Sequence, residues 1–119
     1  MSAPRKRINP KKLNALQLRT LAVLQLLAED PAFANPPDED GSVLIRGLPD
    51  PHGDHFHLTH GIIRMRDATG LHNPAVYGAL VRKGLLLPGV AGMPILTREG
   101  VAYETGLRSR LLQPTHGTR

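Results

Sequence analysis

Apolar residues along the chain fall into two kinds of pattern. Long stretches repeat them every three or four positions, and short ones alternate or cluster between turn formers. From Leu13 to Ala28 there is no Gly or Pro, and Leu13, Leu16, Val23, Leu24 and Leu27 recur at helical spacing. Leu18, Leu21 and Leu26 widen that stripe well beyond one face. Such a helix is either central in the core or shared with a second subunit. Pro31 and the run AEDPAFANPPDEDG end it and predict an acidic loop.

Next comes a pattern that predicts a β-hairpin over residues 42–59. Ser42 to Arg46 is apolar and β-branched, Gly47 to Gly53 is dense in turn formers, and His55 to Thr59 alternates. Phe56 and Leu58 then face the core, with His55, His57 and Thr59 on the other side. Gly61 to Thr69 reads as a short helix with Ile62, Ile63 and Met65 inward, broken by Gly70. Asn73 suits an N-cap and Pro74 a first helical position. The helix that follows runs to about Lys83, with Val76, Ala79 and Leu80 inward and Gly84 at its C-terminal cap. Leu85-Leu-Leu and Met93-Pro-Ile-Leu flank Pro88 to Gly92, which predicts a second small hairpin. Thr97 caps a last helix with Leu96, Gly100, Tyr103, Leu107 and Leu111 on one stripe. No internal repeat at solenoid spacing is present.

The order helix, glycine turn, helix, two-stranded wing, helix spans residues 61–105. Its text is ATGLHNPAVYGALVRKGLL followed by ILTREGVAYE. In the steps Lys83-Gly84-Leu85 and Leu96-Thr97-Arg98-Glu99-Gly100 it resembles winged helix-turn-helix regulators of the MarR and PadR type. The resemblance implies an α+β winged-helix fold, mostly helical with two small β-hairpins. Three segments follow: a disordered basic arm at 1–12, a winged-helix domain at 13–112, and a flexible tail at 113–119.

Charge sharpens this picture. The net charge is +5. Residues 1–28 carry six basic groups and no acidic one, residues 29–54 balance at −6, and residues 55–119 at +5. A basic arm and a basic C-terminal half flank an acidic segment, and basic surface attracts nucleic acid through counterion release. The chain has no cysteine, which excludes disulfides, thiolate metal sites and a cysteine nucleophile. No apolar stretch reads as a signal peptide or a bilayer span, so a cytoplasmic protein without membrane contact is expected.

By the resemblance, the Pro74 helix is the recognition helix, whose outward N-terminal residues approach base edges. His72, Asn73 and Tyr77 stand there, although a capping Asn has its side chain engaged. Arg64, Arg66, Arg82 and Lys83, with Arg5, Lys6 and Arg7 of the arm, need only charge and reach to contact phosphates. Duplex DNA is the expected partner, bound by a homodimer formed through the first helix. One feature departs from the pattern: the wing tip, Pro88 to Pro94, has no Arg or Lys where MarR-type regulators carry basic residues. A winged-helix protein-interaction module is therefore the alternative.

His52, His55, His57 and His60 fall within nine residues, beside Asp50 and Asp54. Two imidazoles on one side of a strand can share a metal ion, with His52, His60 or Asp54 completing a zinc or nickel site. The spacing matches no defined zinc signature, and exposed or capping histidines on a hairpin are the simpler expectation, with no cofactor. A metal-responsive variant and a pH-sensing cluster stay open. No P-loop, dinucleotide glycine fingerprint or Gly-x-Ser-x-Gly is present, and nothing supplies a nucleophile beside Asp54 and His57, so an enzyme is not expected.

Overall fold

The computed structural model describes residues 7–90 and 93–114. The first helix, α1 (Ala15–Ala28), starts at a capping box: the Asn14 side chain accepts from Gln17 N at 2.8 Å, and Asn14 N donates to Gln17 Oε1 at 3.1 Å. Every residue from Thr20 to Leu27 is buried. The reason is position: α1 packs against both later helical regions, the following 3-10 turns and the C-terminal helices. Its all-round apolar surface is consumed within one chain, so the dimer expected through this helix gains no support. The two polar residues in the stretch place their donors inside, while Gln25 Oε1 is buried without a hydrogen-bond partner among the described residues. Thr20 Oγ1 donates to Leu16 O at 2.8 Å, and Gln25 Nε2 donates to the carbonyls of Gly100 and Tyr103, both at 2.9 Å.

Beyond α1 come β1 (Val43–Leu44), β2 (His55–Leu58), β3 (Gly61–Arg64), 3-10 turns at Met65–Asp67 and Thr69–His72, α2 (Pro74–Arg82), β4 (Leu86–Val90), β5 (Met93–Leu96), α3 (Arg98–Ala102) and α4 (Arg108–Leu111). The fold is α+β with antiparallel sheets, and helix outweighs strand without dominating. One sheet has the order β1-β5-β4, and the other is the β2–β3 hairpin.

Two expectations about the first hairpin are corrected. β1 pairs with β5, Val43 opposite Leu96, and not with the histidine strand. The partner of β2 is Gly61–Arg64, the segment read as a helix; Phe56 lies opposite Ile63 and Leu58 opposite Gly61. The β-branched pair Ile62-Ile63 suits a strand, and alternation buries Ile63 while Arg64 and Met65 are exposed. The connecting Thr59-His60 turn has no positive φ. It is held from outside by the buried Asp30, which accepts from Thr59 N at 2.7 Å and Thr59 Oγ1 at 2.6 Å. Burial pushes the Asp30 carboxyl up, but the Thr59 and Ala32 hydrogen bonds and the nearby His60 outweigh it, so it lies below its ordinary value.

Three further differences concern glycines and ends. Gly70 lies within a 3-10 turn rather than ending a helix. Its backbone sits on α1 so closely that a Cβ would come 2.0 Å from Thr20 Oγ1. The last helix is interrupted: α3 stops at Tyr103, Gly106 takes φ +74°, and α4 restarts, although Tyr103 and Leu111 are buried as the stripe requires. Gln113, read as the start of a frayed tail, exchanges two backbone hydrogen bonds with Ile62, each 2.8 Å. Residues 115–119 lie outside the described residues.

The expected basic arm also has order over residues 7–12. Asn9 N donates to Glu104 O at 2.7 Å, Lys11 N to Tyr103 Oη at 2.8 Å, and Tyr103 Oη to Asn9 Oδ1 at 2.7 Å. Among the described residues, no helix is long and apolar enough to cross a membrane.

Candidate functional site

Two places gather chemistry: the outer face of α2 with the β4–β5 wing, and the histidine strand.

Asn73 caps α2 by accepting from Ala75 N at 3.0 Å, and Pro74 takes the first position. The cap occupies the side-chain oxygen, which removes one acceptor from any base contact. Val76, Ala79 and Leu80 face the core. Gly84, at φ +77°, reverses the chain after Lys83, while Leu85 N bonds Leu80 O at 3.0 Å. These are the helix start and stop that the local sequence predicts.

Outward, α2 presents a mostly apolar face. Tyr77, Gly78 and Val81 are half-buried, and with Leu87, Pro88 and Pro94 of the wing they line a groove of about 650 Å³. Burial pushes the Tyr77 phenol up to about 12. His72 lies at the groove rim and is exposed. Of the groups named as base readers, Asn73 is engaged and Tyr77 is packed. His72 alone is exposed.

Cationic groups concentrate at the other end of α2. Arg82 and Lys83 are exposed in and just beyond the last turn, and Lys83 Nζ donates to Lys11 O at 3.2 Å. That bond ties Lys11 to this end of the helix, and the exposed Arg7 and Lys12 are its near neighbours in the chain. Glu99, 3.0 Å from Lys11 Nζ, offsets part of the charge. Lys11 and Lys12 are the members that sequence reasoning left out of its site. Their presence in a basic run was visible, but their fastening to Tyr103, some ninety positions away, was not. Arg64 and Arg66 are exposed on β3 and the first 3-10 turn. Arg5 and Lys6 lie outside the described residues.

On the histidine strand, β2 buries Phe56 and Leu58 and turns His55 and His57 to the opposite face. Gly53, at φ +70°, folds the preceding turn back, and His52 N donates to His55 O at 2.7 Å. Three imidazoles consequently converge. His52 Nδ1 lies 3.0 Å and His55 Nε2 3.1 Å from His57 Nε2. His55 Nδ1 lies 3.1 Å from Asp54 Oδ1. That hydrogen bond holds the Asp54 carboxyl below its ordinary value. His60, in the Thr59-His60 turn, is not part of the group.

Comparison of the chain with protein-family models, curated proteins and solved structures returned no match.

Proposed function

We propose that this chain is a winged-helix transcriptional regulator of the kind it resembles, and that it binds duplex DNA chiefly through phosphate contacts. The element order α1, β1, paired 3-10 turns, α2, β4–β5, α3 and the sheet order β1-β5-β4 support the winged-helix reading: the strand before the helix–turn–helix unit lies beside the last strand of the wing. The 3-10 turns stand in for the first helix of that unit, and the β2–β3 hairpin is an insertion ahead of it.

The observation that carries DNA binding is the Lys83 Nζ bond to the Lys11 carbonyl, which ties the basic segment 7–12 to the end of α2 that bears Arg82 and Lys83. The apolar outer face of α2 offers few groups to base edges, so sequence preference is weak.

The test is a titration of a fluorescent duplex by the full chain at 50 and 200 mM salt. Four to six phosphate contacts give a log–log salt slope of about −4 to −5, and so roughly a two- to three-order loss of affinity over that range. Arg82→Ala and Lys83→Ala should each reduce the slope by about 1. Absence of affinity at 50 mM salt, or affinity indifferent to salt, would falsify the reading. The groove between α2 and the wing favours the alternative, a protein-interaction module. Recovery of a stable protein complex that Val81→Asp disrupts, by a chain that retains no DNA, would select it.

A further inference from the structure

We propose that His52, His55 and His57 form a zinc site: three imidazole ligands from β2 and the turn before it, with the fourth position open to water.

The placement is built into the backbone. A strand turns every second side chain to the same face, so His55 and His57 share one side of β2. The tight turn at Gly53 returns His52 to that side, registered by its bond to His55 O. Behind the ligands, Phe56, Leu58 and Ile63 are buried in the core, and Asp30 pins the far end of the hairpin. The ligand strand is thus rigidly backed, as a metal site requires.

Proton accounting disfavours a purely hydrogen-bonded arrangement. Each ring nitrogen has, in the plane of its ring, either one N–H or one lone pair. With the His55 Nδ1 proton directed to Asp54 Oδ1, His55 Nε2 carries a lone pair. His57 Nε2 then faces two nitrogens, at 3.0 and 3.1 Å, with a single valence to offer. One of those contacts is left unmet. A cation placed among the three meets all of them at once.

The distances also suit the ion. Tetrahedral zinc with bonds of 2.0–2.1 Å separates its nitrogens by about 3.3 Å. Two of the three nitrogen pairs fall within a few tenths of an ångström of that value; one ligand atom from each residue lies within 4.8 Å of the others, and the exposed rings of His52 and His57 have room to turn and close the third pair. The Asp54 carboxylate acts on His55 from behind. It fixes the tautomer that leaves Nε2 free and increases its basicity, the usual outer partner of a metal-binding histidine. His52 and His57 are exposed, so water reaches the open fourth position. Three neutral nitrogens and no thiolate fit zinc better than softer ions.

This inference does not depend on DNA binding, and its test reads metal alone. The full chain, without a polyhistidine tag and stripped by chelator, is titrated with zinc sulfate by calorimetry. Cobalt(II) uptake is followed by visible absorption. One zinc per chain and the intense cobalt bands of tetrahedral coordination are expected. His57→Ala should reduce affinity more than the 10–100-fold expected of Asp54→Asn, and His60→Ala should leave it unchanged. Far-UV circular dichroism confirms that His57→Ala is folded. If it is not, the stoichiometry, the cobalt spectrum and Asp54→Asn decide. Failure of the wild-type chain to bind zinc overturns the proposal. So does binding that survives His57→Ala, or that His60→Ala weakens equally.

Discussion

Gly100 offers a sharp test of how the wing is attached to the core. A Cβ built there would lie 2.0 Å from Leu85 O and 3.0 Å from the Leu85 carbonyl carbon. Both are backbone atoms, so no side-chain rotation relieves the contact. Restoring ordinary separation would move α3 away from Leu85 by about 1.4 Å. That motion strains two hydrogen bonds at the same junction: Thr97 N to Leu85 O at 3.1 Å, and Thr97 Oγ1 to Gly84 O at 2.7 Å. Overpacking costs about 1–3 kcal/mol, and each bond contributes about 1 kcal/mol. Gly100→Ala should therefore destabilise the fold by about 3–5 kcal/mol, out of a total of roughly 6–18 kcal/mol for a chain of this length. The assay is urea unfolding followed by circular dichroism, where the midpoint should fall by about 2 M. Gly78→Ala is the control. It lies within α2, and its nearest neighbour would be the Arg82 guanidinium at 3.4 Å. It should stabilise by about 0.5–1 kcal/mol, the ordinary helix preference for alanine. If Gly100→Ala shifts stability by less than 0.5 kcal/mol, a figure of roughly surface-substitution size, the close approach is not what selects glycine there.

Three further outcomes are expected. Asp30→Ala should cost about 2–4 kcal/mol in chemical denaturation, because Thr59 loses two bonds to a charged acceptor. Since the folded Asp30 carboxyl lies below its ordinary value, its contribution is present above about pH 4 and is lost as the pH falls through the folded value. The stability of Asp30→Asn should start lower at neutral pH and decline less on acidification. Asn14→Ala, which breaks the capping box of α1, should lower the thermal midpoint by an amount equivalent to about 1 kcal/mol. Gln25→Leu should cost about 2 kcal/mol by leaving the Gly100 and Tyr103 carbonyls without their donor, and equal stability of the variant would contradict the accounting.

Features set by neighbours in sequence were legible, and those set by distant partners were not. The long first helix, the Asn73-Pro74 start and Gly84 stop of α2, the Thr97 cap and the outward pairing of His55 with His57 all follow from residues a few positions apart. The β2–β3 hairpin was missed because its turn lacks the usual glycine or asparagine. The group that stabilises it, Asp30, sits 29 positions earlier in the chain. The choice of β5 as partner for β1 is likewise a tertiary matter, since a two-residue strand carries no register of its own. Of the four histidines, period 2 joined His55 to His57, but only the backbone reversal at Gly53 separates His52 from His60 as the third member. The basic cluster was half visible: the charges were countable, and the contact that assembles them was not.

The fastening of residues 9–11 to Tyr103 and Glu104 has a consequence for the order of events during synthesis. These contacts join positions more than 90 apart in the chain, and such closures form late because both ends must already exist. Asn9 and Lys11 therefore wait until the chain has been made beyond Glu104 before they find their places. A nascent or C-terminally shortened chain lacking Tyr103 would keep its cations but not their arrangement, and Gln113 would no longer cover the open edge of β3. The positive cluster is in this sense a late signal that the whole domain has folded.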